Sequence, residues 1–200
     1  MEAADPALRW HILALTLLML VLGVLHDSVN PWLQYSREAI ADGEVWRLVS
    51  GHLVHMNLWH TLLNLSGFLL CWFFFPDLLT RRRLWTWLLV SIPLVSAAFW
   101  FIDTDLEGYV GLSGILHGFL VMCLLAGFSG HPKLHGLLLA VVMTRLIWEQ
   151  QPDYNVNYLL DTIGGAVYVN AHLYGSLAGA MLGGVWWWQE RKRKTDAAGG

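Results

Sequence analysis

Two polar residues stand out from the apolar segments of this 200-residue chain. Ser113 lies between Gly111 and Gly114 at the start of one apolar segment, and His172 follows Ala171 inside another. A serine hydroxyl becomes an effective nucleophile when a neighbouring base accepts its proton, and a neutral imidazole is a suitable base. The pair therefore predicts acyl-transfer chemistry, with Ser113 as the nucleophile and His172 as the base.

The composition places this chemistry in a membrane. The sequence is 56% hydrophobic and 14% charged, whereas soluble domains carry about 25% charged residues. Its apolar segments approach the roughly 20 residues that cross a bilayer, and they cover residues 10–25, 53–75, 84–102, 112–128, 134–148 and 163–188. We predict an all-α, polytopic membrane protein with one six-helix domain over residues 1–190 and a basic cytoplasmic tail over 191–200. The first segment lacks the small residues that end a cleaved signal peptide, so we interpret it as a helix.

The basic residues indicate the orientation of these helices. If the six helices alternate, most arginines and lysines face one side of the membrane and most carboxylates face the other. Because basic residues are enriched in cytoplasmic loops, both termini are predicted to be cytoplasmic. The net charge of −3 gives no support to a nucleic-acid partner.

The helix positions predict that the candidate residues meet. His60 lies about eight residues beyond the predicted start of the second helix and His172 about nine beyond that of the sixth, so both are about 12–14 Å deep. Ser113 reaches that depth only if residues 103–112 enter the protein as non-helical backbone lining an enclosed cavity. Stripes of small residues on the fourth and sixth helices would let their backbones approach closely: Gly114 and Gly118, and Ala171, Gly175, Gly179 and Gly183.

An acyl-transfer site also needs donors for the oxyanion. His60 and Asn64 are four residues apart, so they share one face of the second helix, and both side chains can donate hydrogen bonds. With the backbone N–H groups of Leu112 and Ser113, they are predicted to form the oxyanion hole. An interhelical hydrogen-bonded pair is the alternative role for His60 and Asn64. No acidic residue adjoins His172 in the sequence, so we expect a dyad that needs no metal ion or other cofactor.

The ordered set of motifs resembles that of the rhomboid intramembrane serine proteases. Gly111-Leu112-Ser113-Gly114 and Ala171-His172-Leu173-Tyr174-Gly175 are similar to the family's serine and histidine motifs, and His60-Thr61-Leu62-Leu63-Asn64 is similar to its HxxxN element. Trp46-Arg47 resembles the Trp-Arg pair of the family's first outer loop. The resemblance covers about residues 46–183 and implies a six-helix bundle. It also implies an intramembrane serine endopeptidase that cuts single-pass, membrane-anchored protein substrates near the outer face of the lipid bilayer.

The resemblance also assigns roles around the pair. His117 stands where many rhomboids have a tyrosine beside the base. We expect it to line the site together with Gly111 and Gly114, and a role in helix packing is the alternative. Structural support is expected from four further residues: Arg47, His55, Gly175 and Gly179. We expect three other histidines to be interfacial and solvated: His52, His131 and His135.

The short body and the stretch Gly-Leu-Ser-Gly-Ile-Leu-His-Gly over residues 111–118 resemble the bacterial rhombosortase branch of this family. That resemblance implies exported substrates that end in a Gly-Gly-containing motif, an apolar helix and a basic tail. It also implies a multi-pass protein of the bacterial inner membrane whose active site opens to the periplasmic side.

Two other function classes fit parts of the sequence. Nine histidines could indicate a membrane metalloprotein, but no His-Glu-x-x-His motif is present, and His52, His55 and His60 do not share one helical face well. A small transporter fits six helices with polar residues near the midplane, but no inverted repeat is visible. Activity in a chelator would count against the first class, and substrate flux into vesicles would favour the second.

Overall fold

The computed structural model describes residues 7–199, and most of them are helical. Within that range there are ten helices and one two-stranded sheet. In chain order these elements are α1 (Leu8–Val24), α2 (His26–Leu33), β1 (Tyr35–Ser36), α3 (Arg37–Ala41), α4 (Arg47–Ser50), α5 (Leu58–Phe74), α6 (Arg81–Phe101), β2 (Gly108–Tyr109), α7 (Ser113–Ala126), α8 (Pro132–Glu149), α9 (Leu160–Ile163) and α10 (Val169–Gly199).

Six long helices correspond to the six predicted segments, but two of them start later than predicted. Helix α5 begins at Leu58 rather than at 53, because the Asn57 side chain caps it by accepting the His60 N–H at 2.8 Å. Helix α10 begins at Val169 rather than at 163, because Gly164 ends α9 in the left-handed conformation. Residues 191–199, predicted as a tail, continue α10. Residues 1–6 and 200 of the predicted domain and tail lie outside the described residues.

Helix length and composition identify few unambiguous membrane spans among residues 7–199. Helix α6, with 21 residues, is the one helix that is long and apolar enough by itself. Helices α1 and α2 would make a second span together, although they are bent by 102°. Helices α5 and α7 are apolar but have only 17 and 14 residues. The six-span topology therefore stays a prediction.

Helix α7 lies at the centre of the fold. It contacts α5, α6, α8 and α10, and nine of its 14 residues are buried. On the side of α6, Phe119 packs on the fully buried Trp87 with ring centroids 4.5 Å apart. A helix that is apolar all round is stable when protein surrounds it, as here.

Small residues bring α7 and α10 into backbone contact. A Cβ atom added at Gly118 would overlap the backbone of Gly175, and one added at Gly179 would overlap the backbone of Gly118. The two stripes of small residues read from the sequence therefore face each other. Larger side chains at these positions would hold the two helices apart.

Residues 26–52, predicted as one long interfacial loop, contain α2, β1, α3 and α4. Strand β1 pairs antiparallel with β2, so that Tyr35 lies opposite Tyr109. Since β2 immediately precedes the segment that leads into α7, this pairing attaches residues 26–52 to the start of the central helix.

Arg47 connects several parts of residues 26–52 through hydrogen bonds. Its buried guanidinium donates to the Glu44 carboxylate at 2.6 Å and to the main-chain carbonyls of Gln34 at 2.9 Å and Pro31 at 2.8 Å. A planar guanidinium suits such a set because its donors point in fixed directions. The arrangement fixes α4 against the end of α2.

Two histidines expected to be solvated are buried instead. The His52 ring lies 2.9 Å from the Ser96 hydroxyl of α6, and burial lowers the pKa of His52 to about 3. The Nδ1 atom of His135 lies 3.0 Å from the Leu124 carbonyl oxygen. The expectation was wrong for both residues, because one ring nitrogen of each has a partner inside the protein, while His131 is exposed as expected.

Candidate active site

Ser113 and His172 face each other across the contact between α7 and α10. Ser113 is the first residue of α7, and His172 is the fourth of α10. The Ser113 Oγ atom lies 3.1 Å from His172 Nε2, which is hydrogen-bond distance. The close approach depends on their neighbours, because a Cβ atom added at Gly114 would overlap the carbonyl group of Ala171.

The chain enters α7 through a non-helical segment. Of residues 103–112, which were predicted to enter the protein, only the last four are buried, and the others are exposed or half-buried. Val110, Gly111 and Leu112 are buried, and the Gly111 N–H donates to the Gly51 carbonyl at 3.0 Å. Gly111 has φ +123, a conformation that side chains rarely adopt, and a Cβ atom there would lie 2.9 Å from Cε1 of His60. Glycine is therefore required both for the turn and for the approach of the imidazole.

His117 covers one face of the His172 ring. The two imidazoles are stacked, with centroids 4.0 Å apart and planes at 17°. The Nδ1 atom of His117 lies 2.8 Å from the Ser113 carbonyl oxygen, which fixes the ring one turn along α7. An imidazole thus packs against the candidate base where many rhomboids have a tyrosine.

The structure also places a carboxylate beside His172, where the sequence led us to expect none. Oε2 of Glu149 lies 2.9 Å from His172 Nδ1, and Oε1 lies 2.9 Å from Nε of Arg145. The Glu149 side chain is fully buried. Glu149 lies one residue beyond the predicted end of its helix and was therefore not among the predicted site residues, whereas α8 ends at Glu149. Arg145, four residues earlier in an apolar segment, was the available signal, since such pairs share a helix face.

His60 and Asn64 line the same cavity as Ser113 and His172. Asn64 Nδ2 donates to the His60 carbonyl at 3.0 Å, and its buried Oδ1 has no protein partner. His60 Nδ1 accepts from the Met56 N–H at 3.4 Å. The Asn64 amide and the His60 ring therefore stand on the Ser113 side of α5, where the sequence predicted them.

His55 packs edge-on against His60, with ring centroids 5.0 Å apart. It is completely buried, and neither ring nitrogen has a hydrogen-bond partner. Burial lowers the pKa of His55 to about 3, so the ring is neutral at physiological pH. Its position supports the His60 ring from the loop before α5.

The start of α7 presents main-chain donors near the serine. Leu112 is the N-cap residue and Ser113 follows it. The first N–H groups of a helix have no carbonyl partner within that helix, and the helix dipole favours negative charge there. The side chain of Leu112 is buried away from the cavity, so any part it has in binding an oxyanion is through its main chain.

A cavity of about 540 Å³ opens beside Ser113 and His172. Its walls are mostly apolar, and His60, Asn64, Ser113 and His172 are among the polar residues that line it. It is lined by residues from α5 and the loop before it, from α7 and the segment before it, and from the segment between α8 and α10, among them Met56, Leu63, Cys71, Tyr109, Val110, Leu116, Leu120, Tyr158, Leu159, Ile163, Val167 and Tyr168. An extended, largely apolar peptide segment is the kind of ligand that such walls favour.

A match to a known protein family decides the class of this site. The Rhomboid domain model matches residues 42–189, a range that includes His60, Ser113, Glu149 and His172. The chain belongs to the rhomboid family. Its relatives include the rhomboid protease GlpG of Salmonella newport and that of Salmonella typhimurium, each 25% identical over 203 residues covering 96% of this chain and 67% of the relative.

Rhomboids related to GlpG are intramembrane serine proteases, and this rhomboid is therefore a membrane-bound serine protease. That membership decides among the three function classes that the sequence left open, in favour of proteolysis over a transporter or a metalloprotein. Among residues 7–199, no three histidine, cysteine or acidic side chains gather closely enough to hold a metal ion.

An acidic clamp fixes the start of the helix that carries His172 in this rhomboid. The Asp103 carboxylate, just beyond α6, accepts from the hydroxyls of Tyr168 and Tyr174, both at 2.7 Å, and from Asn170 Nδ2 at 3.2 Å. Burial and this carboxylate raise the pKa of Tyr168, so the phenol stays protonated as a donor. The clamp holds the first turns of α10 against α6.

Proposed function

We propose that this rhomboid cleaves membrane-anchored proteins with Ser113 as the nucleophile and His172 as the general base. The observation that carries the proposal is the 3.1 Å distance between Ser113 Oγ and His172 Nε2, both of which line a largely apolar cavity. A nucleophile within hydrogen-bond reach of a base is the arrangement that acyl transfer requires.

In the proposed reaction, His172 Nε2 takes the Ser113 hydroxyl proton as Oγ attacks the carbonyl carbon of the scissile bond. The carbonyl oxygen becomes an oxyanion, which accepts hydrogen bonds from the Leu112 and Ser113 N–H groups and from the side chains of His60 and Asn64. His172 then donates its proton to the leaving amine, and the C–N bond breaks. A water molecule, deprotonated by His172, hydrolyses the acyl-enzyme and regenerates Ser113.

The direct test replaces each residue of the pair. Ser113→Ala and His172→Ala should each abolish cleavage of a membrane-anchored reporter and labelling by a fluorophosphonate, with the thermal unfolding temperature little changed. Gly184→Ala is a suitable control, because a Cβ atom there meets nothing within 4 Å. Appreciable turnover by a folded Ser113→Ala protein would remove the mechanism.

We propose further that residues 1–190 form one six-span domain with both termini in the cytoplasm. The charge distribution of the loops supports this orientation, which opens the cavity to the periplasm of a bacterial inner membrane. Helix α8 offers the route for a single-pass substrate, since Leu137, Val141 and Trp148 are exposed apolar residues along it. A substrate helix would then approach from the lipid, past α8 and against α5.

The scissile bond should lie near the outer end of the anchor. Unwinding a helix in lipid leaves unpaired main-chain groups that are costly, so cleavage favours small or helix-breaking residues where less helix must be opened. The rhombosortase resemblance of residues 111–118 places the anchor at the C-terminus of an exported protein, after a Gly-Gly pair and before a basic tail.

Co-expression with a reporter that carries such a C-terminal anchor tests this specificity. Mass spectrometry of the released protein should find its new C-terminus at or beside the small residues. Replacing those residues with leucine or valine should block release. Unchanged release of the leucine or valine variant, or a cut at the cytoplasmic end, would contradict the proposed specificity.

A further inference from the structure

We infer that Glu149 is a positioning residue that holds His172 in the tautomer able to accept the Ser113 proton. The inference rests on the proposed function, since it concerns the same pair. It adds a third member, from a third helix, to what the sequence presented as a dyad.

Hydrogen-bond accounting leads to the tautomer. A carboxylate can only accept, so a neutral His172 must carry its hydrogen on Nδ1, which lies 2.9 Å from Glu149 Oε2. The lone pair is then on Nε2, which lies 3.1 Å from Ser113 Oγ. The opposite tautomer would set the Nδ1 lone pair against a carboxylate oxygen and leave no acceptor for the serine proton. Glu149 therefore selects the competent form.

Arg145 keeps the carboxylate ionised and fixed. Its Nε donates to Glu149 Oε1 at 2.9 Å, so each carboxylate oxygen has its own partner. The same guanidinium donates to the hydroxyls of Tyr154 at 2.5 Å and Tyr158 at 3.0 Å. Because the Glu149 side chain is fully buried, an ionised form needs these partners. A continuous chain of hydrogen bonds therefore runs from Ser113 through His172, Glu149 and Arg145 to the two tyrosines in the loop after α8.

His172 is restrained on its other sides as well. The His117 ring is stacked on it at 4.0 Å, and Ala171 is packed against Gly114. Stacking fixes the plane of the imidazole but leaves its tautomer free, whereas the hydrogen bond from Nδ1 determines the tautomer. Glu149 thus has a function that the stacked ring cannot replace.

The role of Glu149 in the reaction follows without any new reactant. When His172 takes the Ser113 proton on Nε2, the imidazolium has both nitrogens protonated and faces the Glu149 carboxylate across 2.9 Å. The carboxylate stabilises that cation but does not take its proton. When Nε2 protonates the leaving amine, the ring returns to the Nδ1–H tautomer, ready for the hydrolytic step.

The first test uses the unmodified protein. We expect long-range ¹H–¹⁵N spectra of the detergent-solubilised, ¹⁵N-histidine-labelled rhomboid at neutral pH to show His172 protonated on Nδ1. Its signals would be assigned by their loss in His172→Asn. A neutral His172 protonated on Nε2 would overturn the inference. The measurement does not depend on whether any Glu149 variant folds.

The second test is kinetic. In Glu149→Gln the side-chain amide can donate to Nδ1 and favour the wrong tautomer, so kcat should fall by about 10²–10⁴-fold while KM changes little. Glu190→Gln is the matched control, since Glu190 also pairs with an arginine on a helix, at 3.0 Å from Arg193, but lies at the other end of α10. A merely structural ion pair would alter stability without this division between kcat and KM.

The outcomes separate the inference from the proposed function. If Ser113→Ala abolishes turnover and folded Glu149→Gln keeps the full kcat, the inference fails and the proposed function stands. If Ser113→Ala retains turnover, the proposed function itself fails. Loss of kcat in Glu149→Gln, with the Nδ1–H tautomer in the unmodified protein and a normal Glu190→Gln, supports both.

Discussion

Adding one carbon atom at Gly175 should separate the proposed catalytic pair, Ser113 and His172. A Cβ atom at Gly175 would overlap the Gly114 carbonyl oxygen and lie 2.5 Å from its carbon, whereas ordinary contacts begin near 3.4 Å. Helices α7 and α10 must therefore move apart by about 1 Å. The Ser113 to His172 distance, 3.1 Å in the structure, would then approach about 4 Å, beyond hydrogen-bond range. A misplacement of 1 Å can lower the rate by about 10²-fold.

Gly184→Ala provides the control for this experiment. It lies on the same helix, and a Cβ atom there meets nothing within 4 Å. Alanine is favoured over glycine in a helix by about 0.5–1 kcal/mol, so Gly184→Ala should be at least as stable as the parent. Gly175→Ala should instead lose about 1–3 kcal/mol through overpacking. Thermal unfolding, reporter cleavage and fluorophosphonate labelling would be measured together. Unchanged turnover in Gly175→Ala would refute the reasoning that the glycine contact sets the geometry of the pair.

Three further predictions follow from the site and its surroundings. Asn64→Ala should lower kcat by about 10²–10³-fold, as expected for losing one oxyanion donor; full turnover with a lower unfolding temperature would make Asn64 structural. His117→Ala should lower kcat by roughly threefold to tenfold, which corresponds to the loss of about 0.5–1.5 kcal/mol from an aromatic pair, whereas His117→Tyr should retain activity. If the alanine and tyrosine variants have the same kcat, the stacked ring has no role in the reaction. Burial lowers the pKa of His52 from 6.5 to about 3, so on acidification the unfolded chain is protonated before the folded protein. As the pH falls from 6.5 toward 3, the free energy of unfolding should therefore decrease by up to about 1.4 kcal/mol per pH unit. Unfolding measured at pH 7.5 and pH 5 should show a weaker pH dependence in His52→Gln, and identical dependence would count against the buried neutral ring.

The contact between α7 and α10 could be predicted from the sequence because it depends on side-chain size alone. Glycines spaced four residues apart, at positions 175 and 179, indicate that another backbone packs against this face of the helix, and Gly118 lies there. The same argument placed Ser113 and His172 together, since each neighbours a small residue of the contact. For Ser113 the prediction also required residues 103–112 to enter the protein as non-helical backbone.

The starts of the helices could not be predicted in this way. An apolar run shows where a helix can extend, but the cap decides where it begins. The Asn57 side chain and the left-handed Gly164 delay α5 and α10 by about five residues beyond the predicted starts. As a consequence, His60 is the third residue of α5 and His172 the fourth of α10, whereas the prediction placed them about eight and nine residues beyond the helix starts.

Side-chain partners from distant segments were also beyond sequence reasoning. Glu149 and His172 are 23 residues apart, and their contact depends on how α8 leans on α10. The sequence predicts a solvated, interfacial His52, yet its partner Ser96 comes from the middle of α6. Spacing gives the face of a residue's own helix, but it does not say which residue of another helix stands opposite.

The proposed base and its acidic partner lie on helices that pack to different extents. His172 is on α10, which contacts α7 backbone to backbone, whereas among the 18 residues of α8 only His135, Leu146 and Glu149 are buried. A substrate helix that moved α8 outward would therefore break the Glu149 contact before it disturbed the Ser113 to His172 distance. If Glu149 sets the tautomer of His172, the pair becomes fully competent only when α8 has returned against α10. Substrate access past α8 would then be coupled to proton transfer through a single hydrogen bond.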